Sequence, residues 1–122
     1  MALDQLGGAY TNETLLASGA KTVSANTAAN TGFGGVKDLI VQVAVTAASG
    51  TSPTLDVKIQ DTVDGGTNWN DIAGLTFTQL ITTGQEIKIP TRIFSDSLRV
   101  SYTIAGTNPS FTFSVKAFAR SK

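Results

Sequence analysis

Apolar and polar side chains alternate with a period of two along most of this chain, the spacing of strands with one buried and one solvated face. In "LIVQVAVTA", Leu39, Val41, Val43 and Val45 share one face while Gln42, Ala44 and Thr46 share the other. Leu55, Val57 and Ile59 alternate with Asp56, Lys58 and Gln60, and Ile87 and Ile89 alternate with Glu86 and Lys88. Leu98, Val100, Tyr102 and Ile104 alternate with Arg99, Ser101 and Thr103; Phe111, Phe113, Val115 and Ala117 alternate with Thr112, Ser114 and Lys116. The polar sets are short, β-branched or singly charged, as suits a wet sheet face. No window offers three turns of helical spacing, and frequent Gly and Thr disfavour a helix.

Turn-forming clusters separate these runs, at 32–35, 49–53, 64–68, 82–85, 95–97 and 106–109. The pattern predicts an all-β fold: a single antiparallel β-sandwich, jelly-roll-like, of about seven or eight strands. Its predicted core is Leu39, Val41, Val43, Val45, Leu55, Val57, Ile59, Trp69, Phe77, Leu98, Val100, Tyr102, Ile104, Phe111, Phe113 and Val115. Residues 13–31 hold one or two weaker strands, around Leu15–Ala17 and Lys21–Ala25. Residues 1–12 alternate poorly and carry Gly7 and Gly8, so they read as an N-terminal arm before a sandwich domain of residues 13–122.

One phrase is written twice. "GTSPTLDVKI" begins at Gly50 and "GTNPSFTFSV" at Gly106. The glycines permit a positive φ, and Pro53 and Pro109 fix φ ahead of the outgoing strand. The phrase is expected to be a hairpin loop, one in each half of the sandwich, from a duplication or from one solution reached twice.

Composition narrows the chemistry. Among 122 residues there is neither Cys nor His, which removes disulfides, thiolate nucleophiles, the commonest metal ligand and the commonest general base near neutral pH. Charged residues are 15%, against a typical value of about 25%, and the formal net charge is zero. With Lys and Arg scattered singly, no basic patch for nucleic acid is visible. The N-terminus lacks an apolar signal region, and no apolar run approaches the roughly 20 residues of a membrane span. The expectation is a soluble, single-domain protein made in the cytoplasm, with no catalytic residues, cofactor or metal.

"TVDGGTNW", Thr62 to Trp69, resembles the Asp-box turn, with Asn68 where Thr is usual. Its physics is structural: Asp64 accepts backbone N–H groups, Gly65 and Gly66 take the tight turn, and Trp69 packs back beneath it. Asp61, Asp64, Asn68, Asn70 and Asp71 could be read as calcium ligands, but EF-hand spacing is absent and solvated turn residues are the default. Trp69 and Tyr102 could stack on a sugar, although Tyr102 is in phase with the core. Phe118 falls on the polar face of its strand, which marks either a contact surface or a ring covered by a neighbouring loop.

Residues 36–118, with "LIVQVAVTAASGTSPTLDVKIQDTVDGGTNWNDI" and "LRVSYTIAGTNPSFTFSVKAF", resemble small all-β virion proteins of tailed bacteriophages. That family includes head decoration proteins and other head or tail accessory parts, and it carries no catalytic motif. The resemblance implies a virion protein made in the host cytoplasm, which binds the major capsid protein and stabilises the assembled head, and which associates as a homotrimer. Nucleic acid and membrane are not expected partners. The alternative is a tail or receptor-binding carbohydrate-binding β-sandwich module. Leu3, Leu6, Tyr10 and Phe118 are the candidate partner-binding residues, being apolar positions without a place in the core pattern.

Overall fold

The computed structural model describes residues 10–121. They form six strands and no helix: β1 (Tyr10–Lys21), β2 (Ala25–Asn26), β3 (Val36–Thr62), β4 (Asn70–Thr76), β5 (Gly84–Lys88) and β6 (Ser97–Ser121). All pairings are antiparallel, in the order β1-β6-β3-β4, with β2 added on β6 and β5 on β3. Tyr10–Asn12, assigned above to the arm, begin β1 opposite Arg120, Ala119 and Phe118. Leu3 and Leu6 lie outside the described residues.

β3 and β6 organise the molecule. They are 27 and 25 residues long and pair with each other from Val36↔Ser121 to Thr62↔Ser97. Each bends midway, so each serves both layers. One layer is β1, the second half of β6, the first half of β3, and β5. The other is β2, the first half of β6, the second half of β3, and β4. Tyr102 and Phe113, in opposite halves of β6, meet edge to face with ring centroids 5.3 Å apart, so the strand folds over its own core.

The repeated phrase is the bend, not a hairpin loop. Hairpins there would pair Val43 with Leu55–Ile59 and Tyr102 with Phe111–Val115. Instead Val43 pairs with Val115, and Val57 with Tyr102. The two phrases lie against each other, with Thr51 opposite Thr107 and register shifts on both sides. Gly50 and Gly106 take φ of 112° and 119°, and Ser52 and Asn108 share the left-handed value of 49°. One local solution is needed twice because both strands change layer at the same point.

The core holds every predicted residue except Trp69, which is half-buried. It also takes Leu15, Phe33, Ile72 and Leu75. β5 reverses the expected faces: Val43↔Glu86 and Val41↔Lys88 turn Glu86 and Lys88 to the inner side, while Ile87 and Ile89 are 58% and 59% exposed. Glu86 is tolerated there because it accepts hydrogen bonds from the Thr78 N–H at 2.7 Å and the Thr78 hydroxyl at 2.9 Å.

Candidate interaction surface

The outer side of the β1-β6-β3-β5 layer departs from a wet polar face. Phe118 sits on β6 between Asn12 of β1 and Ile40 of β3. Tyr10 stacks on it with centroids 5.3 Å apart and planes inclined by 27°. Two of the predicted partner-binding residues therefore meet, and the cover on Phe118 comes from β1 rather than from a loop. Ile40, 40% exposed, and Ile87, 58% exposed, carry the apolar surface across the layer. Ile40 shares the parity of Gln42, and an isoleucine in that polar phase is the signal the sequence offers. Ile87 was hidden because an alternating strand reads equally well in either phase.

A groove of about 450 Å³ runs between these side chains, lined by Glu13, Ile40, Gln42, Ile87, Lys116 and Phe118 among others. Its margins are polar and braced. Arg120 donates to Asp38 Oδ2 at 2.7 and 2.9 Å, and Gln42 Nε2 donates to Gln85 Oε1 at 3.2 Å. An aromatic and aliphatic centre inside a polar margin is the anatomy of a protein-binding surface.

The Asp-box stretch builds a different kind of feature. Asp64 Oδ1 accepts the Asn68 N–H at 2.9 Å and the Thr62 hydroxyl at 2.8 Å, and its Oδ2 accepts Asn68 Nδ2 at 2.8 Å. The Asn68 backbone bond is the main reason the Asp64 carboxyl is held below its ordinary range, with the Asn68 and Thr62 side chains adding to it. Trp69 does not enter the core; the Arg99 guanidinium lies 4.5 Å from its ring centroid. Arg99 Nε donates to Gln60 Oε1, and Gln60 Nε2 donates to Asp71 Oδ1, which extends one chain of contacts across the sheet.

Beside it Asp61 is 1% exposed. Arg92 grips it with Nη2 at 2.6 Å from Oδ1 and Nη1 at 3.0 Å from Oδ2, and the Ser95 N–H adds 3.0 Å to Oδ2. The Arg92 hydrogen bonds dominate in pulling the Asp61 carboxyl down, against the opposing effect of burial. These carboxylates are filled by protein donors, and the described residues contain no group of three acidic side chains arranged to hold a metal ion. The arrangement staples the 89–96 segment to the sheet. One face of Trp69 is under Arg99 and Tyr102 is buried, so neither offers the fully open ring that the sugar-stacking reading needs.

Neither a protein-family model nor a curated protein sequence matches the chain. Solved structures share its fold. The SPBc2 prophage-derived protein YomS superposes with a TM-score of 0.53 at 15% identity, over 93% of this chain and 95% of that one. A chain from the structure of infectious bursal disease virus Gx strain gives 0.55 at 9% identity over 93% of this chain, which spans 33% of the viral one. A chain of the Bacillus endospore appendages, described as a family of disulfide-linked pili, gives 0.53 at 12% identity over 94% of this chain and 89% of that one. At these identities the likeness establishes the all-β fold.

Proposed function

We propose that this protein is a structural component of a bacteriophage virion, a head decoration protein that binds the assembled capsid and stabilises it. The observation that carries the reading is the Tyr10–Phe118 stack continued by Ile40 and Ile87 on an otherwise polar sheet face. Support also comes from the fold shared with a prophage-derived protein and with a chain of a virus structure. The partner is the major capsid protein, and the mode is surface burial rather than chemistry. A ligand that binds only the intact shell lowers its free energy relative to dissociated subunits by mass action. The protein acts as a homotrimer, is made in the host cytoplasm and is carried in the virion.

Shell stability tests this. Capsids assembled from the phage's major capsid protein are heated with and without the protein, and shell disruption is followed by light scattering. Added protein raises the disruption temperature in a saturable way, with saturation at a fixed ratio to capsid subunits. An unchanged disruption temperature at saturating protein contradicts the proposal.

A further inference from the structure

The two outer strands of the interaction layer are both edges, and their chemistry is complementary. Among the described residues β1 pairs with β6 alone and β5 with β3 alone. Thr11, Asn12, Glu13 and Thr14 of β1 are exposed, as are Gln85 and Ile87 of β5. An uncovered edge presents unpaired backbone N–H and C=O groups that accept another strand. Each step across β1-β6-β3-β5 reverses direction, so β1 and β5 run oppositely. A second copy placed beside the first in the same orientation therefore meets β5 with β1 in an antiparallel pair, which continues the pattern of the sheet.

We propose that copies of this chain join edge to edge, β1 of one against β5 of the next, with Glu13 opposite Lys88 and Thr14 opposite Ile87. This rests on the self-association proposed above and names its contact. Charge sets the register. Glu13 and Thr14 alternate in facing as Lys88 and Ile87 do, so only even shifts keep outer residues together. Setting Glu13 against Lys88 pairs opposite charges, whereas a shift of two sets it against Glu86 and pairs like charges. The register also continues a row that the sheet already has. Thr14 faces Lys116, Lys116 faces Gln42, and Gln42 faces Ile87, so these residues already form one row across the molecule. Continuing that row into the next copy keeps outer residues beside outer residues across the joined sheets. The joined layers would bring the Tyr10–Phe118 surfaces of neighbouring copies into one band.

The absence of cysteine makes the test clean. Thr14→Cys and Ile87→Cys are introduced singly and together, folding is checked by circular dichroism, and each protein is oxidised and run without reductant. Within one molecule the two positions are three strand spacings apart, about 14 Å, beyond the roughly 7 Å that a disulfide spans between Cα atoms. On a denaturing gel the double variant runs as covalent oligomers up to a closed trimer, and each single variant runs as an uncross-linked monomer. A dimer from Thr14→Cys alone or Ile87→Cys alone shows like edges meeting and overturns the proposal. No cross-linking in the double variant also overturns it. Charge exchange gives an independent readout: Glu13→Lys weakens self-association at least several-fold by light scattering, and Glu13→Lys with Lys88→Glu restores it. A wild-type trimer whose double variant does not cross-link leaves the self-association standing and rejects this contact; capsid binding is read separately.

Discussion

Gly50 and Gly106 each press against the backbone of the other's phrase. A Cβ on Gly50 would stand 2.7 Å from the Asn108 carbonyl oxygen and 2.9 Å from Pro109 Cα. A Cβ on Gly106 would stand 2.8 Å from the Ser52 carbonyl oxygen and 2.9 Å from Pro53 Cα. The repetition in the sequence is the imprint of this reciprocal crossing.

Gly50→Ala and Gly106→Ala are therefore expected to be among the most damaging small substitutions. Each combines a left-handed φ with a clash against backbone that cannot swing away, together costing about 3 kcal/mol or more. Gly65→Ala, also at positive φ but with open space around it, should cost only about 1 kcal/mol. Urea unfolding midpoints of the three variants rank them, and equal midpoints would refute the crossing as the cause.

The Arg92–Asp61 pair should matter more than the exposed ion pairs. Arg92→Met leaves a buried carboxylate without its main donors and should cost about 3 kcal/mol. Arg120→Met, whose pair with Asp38 is solvent-exposed, should cost under about 1 kcal/mol. Thermal unfolding separates the two.

Acid should act through the same site. The Asp61 carboxyl titrates below its ordinary value of 3.8 in the folded protein, so its contribution is complete above that value and is lost as pH falls through the folded value. The melting temperature should hold steady from neutral pH down to about pH 5 and then fall steeply below about pH 4. Asp61→Asn should start lower and show a shallower acid limb. A wild-type curve without an acid limb would contradict the assignment.

The single tryptophan reports on the Arg99 contact. Arg99→Ala should shift Trp69 emission and lower stability by about 1 kcal/mol, through the lost cation–π contact and the Gln60 bond. An unchanged spectrum would show that the contact is not populated.

Much of the fold was legible because β3 and β6 are long and each half alternates strictly; Val41, Val43, Val100 and Phe113 needed no tertiary knowledge. Leu15, Ile72 and Leu75 escaped because β1 carries register shifts, the β3–β4 pairing contains one, and β4 has Gly74 inside it. The bend was misread because Gly-Thr-x-Pro suits a loop and a bulged corner equally, and only the partner strand, distant in sequence, decides between them. For the surface, Phe118 was visible as an aromatic out of phase, but its meeting with Tyr10 depends on β1 pairing with a strand at the other end of the chain.

The outer face of β1, β6, β3 and β5 is the surface proposed to hold the protein on an assembled phage head. Co-sedimentation of wild type and Phe118→Glu with capsids tests it most directly, with circular dichroism confirming that both are folded. Wild type should pellet with capsids and stay in the supernatant with unassembled capsid protein, and Phe118→Glu should lose capsid binding by at least tenfold. A folded Phe118→Glu that pellets as wild type does, or a wild type that ignores capsids, would contradict the account.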